Sequence, residues 1–307
     1  MQRKMRVLVT GGAGFIGSSI VSVLEDKGVE VYVLDNFSHS DYKNLMKAKG
    51  EIICADILDE AVYKRLPELD AVIHAAAITD TTLTDDTKMM NVNFNGFKSV
   101  LNFCLDRKIK LVYASSAGVY GTGPSPMKEA QKLMPHNTYA YSKYLCDCLA
   151  QKVTNKKNSP LIVGLRYFNV YGFGEHHKQK SASMIYQLYL QMAEENRPRV
   201  FKYGEQKRDF IYVKDVARMT VEALNLKAST ILNLGTGKAR SFNDIISILN
   251  RLLKKNLKPD YFDNLYEGKY QDYTEADITH LRKTLGTTVY FSLEEGIKDY
   301  IKSYLSC

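Results

Sequence analysis

The 307-residue sequence lacks several features that mark particular classes of protein. It has no run of 18 apolar residues, and no charged segment at its N-terminus is followed by an apolar run of signal-peptide length. Internal repeats and low-complexity tracts are also missing. These absences argue against a membrane span and a secreted protein, so we expect a cytoplasmic globular chain of one or two domains.

Cysteine is scarce, and the five cysteines are scattered along the chain. Their odd number favours reduced thiols over a disulfide framework. Cys146 and Cys148 are two positions apart in a predicted helix and therefore point in different directions, which argues against a shared metal ion. We expect no metal site.

The sequence also lacks a nucleic-acid-binding motif. Its formal charge of +8 comes from lysines and arginines that are spread among acidic residues, without a dense basic tract and interleaved aromatics. The positive surplus suits a small phosphate-bearing partner better than a nucleic acid, and most lysines are expected at the solvated surface.

What the sequence does have, near its start, is an apolar strand that leads through glycines into a helix. The stretch MRVLVTGGAGFIGS covers residues 5–18 and contains Gly11, Gly14 and Gly17. The missing side chains permit a tight turn close to a pyrophosphate, whose charge is met by the amino end of the helix. Asp35 ends the next predicted strand, about 20 residues on, where a carboxylate can hold ribose hydroxyls. This pattern predicts a dinucleotide-binding turn.

Strands and helices alternate over the first half of the chain. Apolar segments at 51–54, 71–74 and 109–113 predict strands separated by helices, which indicates a parallel sheet with helices on both faces. The fold class expected is α/β, a Rossmann-type doubly wound sheet. We expect a mainly dinucleotide-binding domain over residues 1–167. A smaller, interleaved substrate domain is expected over 168–307, with the chain crossing back into the first domain.

Tyr139 and Lys143 are four positions apart in a predicted helix and therefore reach a common site. A tyrosine hydroxyl is a poor base at neutral pH, but a nearby lysine ammonium stabilises the phenolate. Ser116, at the end of a predicted strand, can hydrogen-bond the oxygen from which the proton leaves. With a dinucleotide turn, this set predicts hydride transfer at an alcohol carbon, with Tyr139 taking the hydroxyl proton.

The segments GGAGFIG, ASSAGVYG and YAYSK resemble the extended short-chain dehydrogenases that act on nucleotide sugars, and the resemblance covers essentially the whole chain. Dehydratases of that superfamily usually carry an acidic pair after a threonine, whereas Ser116 is followed here by Ala117 and Gly118. A dehydratase is therefore not expected. The stretches RYFNVYGFGEHHKQKSASM, GEQKRDFIYVKDVA and GKYQ are similar to the ADP-L-glycero-D-manno-heptose 6-epimerases, which serve lipopolysaccharide inner-core synthesis.

That resemblance implies two acid/base residues, Tyr139 and Lys178, supported by Lys143 and Ser116. The cofactor-binding positions that we expect, besides Tyr139 and Lys143, are Gly11, Gly14, Phe15, Ile16, Gly17, Asp35, Asn36, Lys43, Asp56, Ile57, Ala75, Ala76, Ala77, Asn93 and Val170. The expected substrate-binding positions are Thr79, Ser116, Asn169, Lys180, Ser181, Gln187, Phe201, Arg208 and Tyr270.

The resemblance implies NADP as the cofactor, with NAD as the alternative. Asp35 would repel a 2′-phosphate unless a cation compensates, and Lys43 in the following loop is our candidate for that cation. Phe173 and Gly174 stand where the family commonly has Pro and Arg, and Gln187 stands where it often has His. The exact nucleotide and sugar therefore stay open.

The expected function is epimerisation at C6 of ADP-D-glycero-D-manno-heptose through a transient 6-keto intermediate. One alternative is another nucleotide-sugar epimerase or an NADPH-dependent ketosugar reductase. A second, from a different class, is a non-catalytic cofactor-binding sensor. The expected partner is a nucleotide-diphosphate sugar, with no nucleic acid and no membrane, and the resemblance implies a homo-oligomer, a pentamer.

Overall fold

The computed structural model describes residues 3–81, 83–156, 158–263 and 273–305. The strands in these ranges are β1 (Arg6–Thr10), β2 (Glu30–Asp35), β3 (Glu51–Cys54), β4 (Ala71–His74), β5 (Lys110–Ser116), β6 (Ile162–Tyr167), β7 (Asn169–Tyr171), β8 (Arg199–Phe201), β9 (Lys207–Tyr212), β10 (Thr230–Leu234), β11 (Ala239–Ser241) and β12 (Asp260–Phe262). The α-helices are α1 (Phe15–Asp26), α2 (Glu60–Arg65), α3 (Asp86–Met90), α4 (Gly96–Arg107), α5 (Thr138–Thr154), α6 (Met184–Ala193), α7 (Val213–Glu222), α8 (Phe242–Leu253), α9 (Thr279–Leu285) and α10 (Leu293–Leu305). Among these helices, not one combines the length and the apolar composition that a bilayer crossing needs.

Seven of the described strands form one parallel sheet in the order β3-β2-β1-β4-β5-β6-β10. Val7 of β1 pairs with Val31 of β2 on one side and with Ala71 of β4 on the other. The strand order therefore reverses at β1, and ligands of doubly wound sheets bind at the carboxyl ends of the strands beside such a reversal. The predicted Rossmann-type α/β fold is confirmed.

Strand β1 is buried on both faces, which explains its unbroken apolar sequence. Val7 and Val9 belong to one core cluster, together with Ile20 of α1. Leu8 points to the opposite face and belongs to a second cluster, together with Leu101 of α4. Successive strand residues point to opposite faces of the sheet. Val7 and Val9 therefore pack against the helices on one face, and Leu8 packs against those on the other.

The second half of the chain builds a smaller region beside the sheet. Strands β11, β9 and β7 form a three-stranded sheet, and β8 pairs with β12. A third core cluster joins these strands to α6, α8 and α10. The chain also returns to the large sheet, where Leu232 of β10 pairs with Leu165 of β6.

A π-helical turn, Asn91–Asn95, joins α3 to α4. Asn93 is buried in this turn. Its Oδ1 accepts from the backbone N–H of Ile78 at 2.8 Å, and its Nδ2 donates to the Ile78 carbonyl at 3.0 Å and to Ser142 Oγ at 3.2 Å. Through these hydrogen bonds, Asn93 in the wide turn links the loop after β4 to α5.

Candidate active site

A cleft of about 540 Å³ opens at the carboxyl ends of the central strands. Most of the predicted site residues line it, including all four predicted catalytic residues. The predicted residues on its walls are Phe15, Ile16, Ala75, Ala77, Thr79, Ser116, Tyr139, Lys143, Asn169, Val170, Lys178, Ser181, Gln187 and Arg208. Tertiary folding therefore gathers these residues, which are dispersed along the chain, into one site.

In the glycine-rich turn between β1 and α1, the backbone atoms of neighbouring segments lie so close together that there is no space for a side chain. Gly11 has a φ of +69°, and a Cβ there would lie 2.5 Å from the backbone nitrogen of Ala76. A Cβ at Gly17 would collide with the carbonyl of Gly11. Gly14 is the N-cap of α1 and has no side chain with which to cap it. The first N–H groups of α1 can therefore serve a bound anion, and the turn fits the pyrophosphate of a dinucleotide.

Asp35 is held firmly at the end of β2. Its carboxylate accepts hydrogen bonds from the backbone N–H of Ala13 and of Phe37, both at 2.9 Å, and from the Ser40 hydroxyl at 3.0 Å. Lys43 is exposed in the loop that follows. The carboxylate thus joins the loop after β2 to the glycine-rich turn, and the contacts of Asp35 and Lys43 with a cofactor stay predictions.

Other predicted cofactor residues lie outside the cleft and are paired or packed within the protein. Asn36 donates from Nδ2 to Asp56 at 2.8 Å. Ile57 is buried, and its side chain occupies the space where a Cβ at Gly96 would lie. The Asn93 amide is hydrogen-bonded to Ile78 and Ser142, as described above. A role for these residues in cofactor binding stays a prediction.

Two predicted substrate residues cannot be placed at the cleft, and a third lies away from it. Tyr270 lies outside the described residues, and so does the side chain of Lys180. The ring of Phe201 packs against Phe262 at a centroid distance of 4.8 Å, outside the cleft.

Helix α5 presents Tyr139 and Lys143 on one face, as their spacing predicts. Asn137 caps the helix. Lys143 is 3% exposed, and its Nζ donates to the carbonyl of Ala114 at 2.8 Å. This bond fixes the ammonium at the end of β5, two residues before Ser116.

The end of β5 supplies two serines to the cleft, of which sequence analysis identified only the second. Ser116 Oγ accepts from the N–H of Gly118 at 3.1 Å. Ser115 also lines the cleft, and its buried Oγ has no hydrogen-bond partner among the described residues. The SS pair in ASSAGVYG was the signal for Ser115, but alternation along a strand argues that only one of the two faces a ligand.

His74, the last residue of β4, is hydrogen-bonded to Thr10, the last residue of β1, at 2.7 Å. Burial, and to a smaller extent the charge of Lys143, lowers the pKa of His74 to about 3. The imidazole is therefore uncharged at neutral pH. It joins the two central strands and is not expected to exchange protons.

Lys178 reaches the cleft from the loop between β7 and α6. Its ammonium lies 5.8 Å from the ring centroid of Phe15, the first residue of α1. Burial lowers the pKa of Lys178 below its ordinary value, although the charges of Glu175 and Asp80 act in the opposite direction. A lysine with a lowered pKa exchanges protons more readily near neutral pH.

Arg208 is buried in the wall of the cleft at the start of β9. The next residue, Asp209, is fully buried and accepts from the backbone N–H of Thr236 at 2.8 Å and of Ala276 at 3.0 Å. These bonds fix the strand next to Arg208. A guanidinium held in this way can bind phosphate oxygens with two parallel hydrogen bonds.

Sequence analysis missed further cleft residues, most of which resemble ordinary core or loop residues in the sequence. They are Asp80, Thr81, Ala114, Ser115, Tyr167, Phe168, Ala182, Ser183, Met184, Phe210 and Phe242. Of these residues, Asp80 has the clearest signal in the sequence, because it is a charged residue that closely follows an alanine run at the carboxyl end of a predicted strand.

The sequence profile of the NAD dependent epimerase/dehydratase family matches residues 7–235. The chain belongs to this family. The matched span runs from β1 to the end of β10 and therefore includes the large sheet, the glycine-rich turn and the four predicted catalytic residues. The chain is thus an enzyme of the epimerase type.

Three solved structures of this family resemble the chain over almost its full length. ADP-L-glycero-D-manno-heptose-6-epimerase from Helicobacter pylori is 37% identical, with a TM-score of 0.92 over 99% of this chain and 97% of that chain. UDP-N-acetylglucosamine 4-epimerase from Methanobrevibacter ruminantium, in complex with UDP-N-acetylmuramic acid, is 28% identical, with a TM-score of 0.92 over 99% of each chain. UDP-glucuronic acid 4-epimerase from Bacillus cereus, in complex with UDP-glucuronic acid and NAD, is 29% identical, with a TM-score of 0.86 over 98% of this chain and 100% of that chain. The resemblance that the sequence motifs indicated is confirmed.

Proposed function

We propose that this enzyme inverts C6 of ADP-D-glycero-D-manno-heptose through a transient 6-keto sugar. The observation that carries the proposal is that Tyr139 and Lys178, two proton-exchanging side chains from distant parts of the chain, line the same cleft as Ser116 and Lys143. The choice of sugar is supported by the 37% identity to a heptose epimerase, against 28% and 29% for the two UDP-sugar epimerases.

The chemistry requires two proton carriers. When bound, the nicotinamide cofactor accepts a hydride from C6 and returns it. Either Tyr139 or Lys178 takes the proton of the C6 hydroxyl, which leaves a ketone, and the other returns a proton to the oxygen when the alcohol forms again. Rotation about the bond between C6 and the sugar ring exposes the other face of the carbonyl and moves its oxygen. Because the oxygen then lies elsewhere, a second carrier is needed, and the reaction has no net redox change.

The neighbouring side chains support these proton transfers. The Lys143 ammonium, fixed by Ala114, stabilises a phenolate at Tyr139. Ser116 can hold the substrate oxygen in line with the tyrosine. Arg208 suits the diphosphate of the substrate. Residues 168–307 supply Lys178 and Arg208, so we assign to them most of the choice of sugar.

Incubation with ADP-D-glycero-D-manno-heptose tests the proposal directly. We expect the two C6 diastereomers to interconvert, as resolved by NMR, without consumption of added cofactor. In D₂O we expect no deuterium at C6, because the hydrogen that leaves as hydride returns to the same carbon. Absence of interconversion, or incorporation of solvent deuterium at C6, would contradict this mechanism.

A second candidate is an epimerase or reductase for another nucleotide sugar, and Gln187 is the observation that favours it. Gln187 lines the cleft where the resembling family often has His, and its Nε2 donates to the Ala182 carbonyl at 2.8 Å. Parallel incubations with UDP-glucose and UDP-N-acetylglucosamine distinguish the sugars. Stoichiometric oxidation of NADPH would identify a reductase.

We extend the proposal to the cofactor, NADP, with NAD as the alternative that Asp35 favours. Lys43→Ala is expected to weaken binding of NADP by up to about fivefold and binding of NAD by much less, because an exposed ion pair contributes modestly. Isothermal titration with each cofactor measures the ratio, and Lys47→Ala, a second exposed lysine in the same region, is the matched control. Equal changes for the two cofactors would remove Lys43 as the 2′-phosphate partner.

We also propose, from the resemblance alone, that the enzyme is a homo-oligomer, a pentamer. Light scattering of the purified protein measures its mass. A monomer at all accessible concentrations would refute this part of the proposal.

A further inference from the structure

The loop that carries Lys178 is closed by one buried carboxylate. Glu175 is fully buried and accepts hydrogen bonds from the backbone N–H of Gly172 at 3.0 Å, the backbone N–H of Ser183 at 2.6 Å and the Ser183 hydroxyl at 2.9 Å. Gly172 directly follows β7, and Ser183 directly precedes α6. A single side chain therefore joins the two ends of the loop.

The same carboxylate lies close to the C-terminal helix and is linked to α6. Tyr300 is a buried residue of α10, and burial and the nearby charge of Glu175 raise the pKa of its hydroxyl. Ser183 in turn caps α6, because its Oγ accepts from the N–H of Tyr186 at 3.2 Å. The ring of Tyr186 lies 6.2 Å from that of Tyr300. Glu175 thus fixes the loop relative to α6, which packs against α10 through these two rings.

Within the loop, two further bonds relate Lys178 to Glu175. The backbone N–H of Lys178 donates to the carbonyl of Glu175 at 2.9 Å. The Ser181 hydroxyl donates to the carbonyl of Lys178 at 2.8 Å. The backbone on both sides of Lys178 is therefore fixed once Glu175 is fixed, although Gln179 next to it takes a φ of +47°.

The charge of Glu175 also acts on Lys178. Burial raises the pKa of the Glu175 carboxyl above its ordinary value, and the bonds from Ser183 and Gly172 reduce this rise. Hydrogen bonds of this kind favour the ionised carboxylate, and that negative charge favours the protonated form of Lys178. Among the described side chains, the other titratable groups that act on Lys178 are Asp80, from the loop after β4, and His177, from its own loop.

We infer that Glu175 is a positioning residue, which closes the loop between β7 and α6 so that the Lys178 ammonium is held in the cleft. This inference rests on the proposed role of Lys178 as an acid/base group. It assigns to Glu175 a function in the reaction although its side chain does not line the cleft.

Glu175→Gln is the decisive variant, because it keeps the shape of the side chain, removes its charge and sets an amide N–H₂ against one of the donors. We expect hydrogen–deuterium exchange in residues 173–183 to rise about tenfold or more, since a charge-assisted bond to a buried carboxylate is lost. Cofactor affinity should stay unchanged. The limb of the kcat–pH profile that reports Lys178 is the one that disappears in Lys178→Met. In Glu175→Gln this limb should move to lower pH, because the negative charge that raises the pKa of Lys178 is removed.

Two other variants complete the design. Ser183→Ala removes one donor to the carboxylate, the hydroxyl at 2.9 Å, but keeps the charge of Glu175. Exchange in residues 173–183 should therefore rise less and the pH limb should stay in place, and this variant remains useful if Glu175→Gln does not fold. Glu194→Gln, at an exposed glutamate just after α6, is the matched control. Wild-type exchange and an unmoved pH limb in Glu175→Gln would overturn the inference, and so would wild-type exchange in Ser183→Ala. If the wild-type protein had no epimerase activity, the proposed function would be refuted. Loop closure by Glu175 would still be tested, because hydrogen–deuterium exchange measures it without activity.

Discussion

Tyr139→Phe is expected to lower kcat for epimerisation by on the order of 10²–10⁴-fold, the usual contribution of a general acid or base. Phenylalanine keeps the ring and its place on α5 but cannot exchange a proton with the C6 oxygen. Cofactor affinity should change little, because Lys143 and the glycine-rich turn are untouched. Diastereomer interconversion by NMR gives the rate, and titration gives the cofactor Kd.

The matched control for this variant is Tyr141→Phe. Tyr141 lies on the same helix, is 47% exposed and does not line the cleft. It should retain nearly the wild-type rate. If Tyr139→Phe also did so, the proton would have to be exchanged by another group, and the assignment of Tyr139 would fail.

Lys178→Met is the second variant with a large expected effect, a loss of at least about 10²-fold in epimerisation. Methionine preserves much of the length and the apolar character of the side chain, whose end lies near the ring of Phe15, so the loop should keep its packing. The variant loses the second proton carrier, so no group exchanges a proton with the C6 oxygen in one of its two orientations. Lys64→Met, at an exposed lysine on α2, is the control.

The two variants together distinguish a two-base mechanism from a one-base mechanism. If Tyr139 and Lys178 each serve one epimer, Lys178→Met should oxidise one C6 diastereomer, and Tyr139→Phe should oxidise the other. The absorbance of the reduced nicotinamide cofactor after mixing with each pure epimer measures this selectivity. Near-normal epimerisation by Lys178→Met, or the same epimer preference in both variants, would show that Lys178 is not the second carrier.

Local sequence patterns were enough to place the parts of the site that depend on one element or one turn. The strand, turn and helix around Gly11 to Gly17 follow from apolar periodicity and from the lack of side chains at close backbone contacts. Tyr139 and Lys143 share a face because four residues make about one turn of helix. Arg208 was found through its resemblance to family motifs, and the structure does place it in the cleft.

Other features could not be read from the sequence because they depend on which distant elements meet. The hydrogen bonds of the Asn93 amide to Ile78 and Ser142 are one such feature, because they depend on the π-turn that carries Asn93 and on the packing of α5 beside it. Glu175 resembles a solvated loop residue until the fold brings Tyr300 to it from the C-terminal helix.

The sequence by itself determined the α/β class, the dinucleotide turn and the family, because periodicity, glycine spacing and short motifs are local properties of the chain. The tertiary structure decided which residues share the cleft, because only packing brings the loop after β7 against the amino end of α1. It also decided the environment of Lys178, where burial lowers the pKa and a buried carboxylate opposes the shift. That environment depends on contacts between residues far apart in sequence, and a sequence pattern carries no record of them.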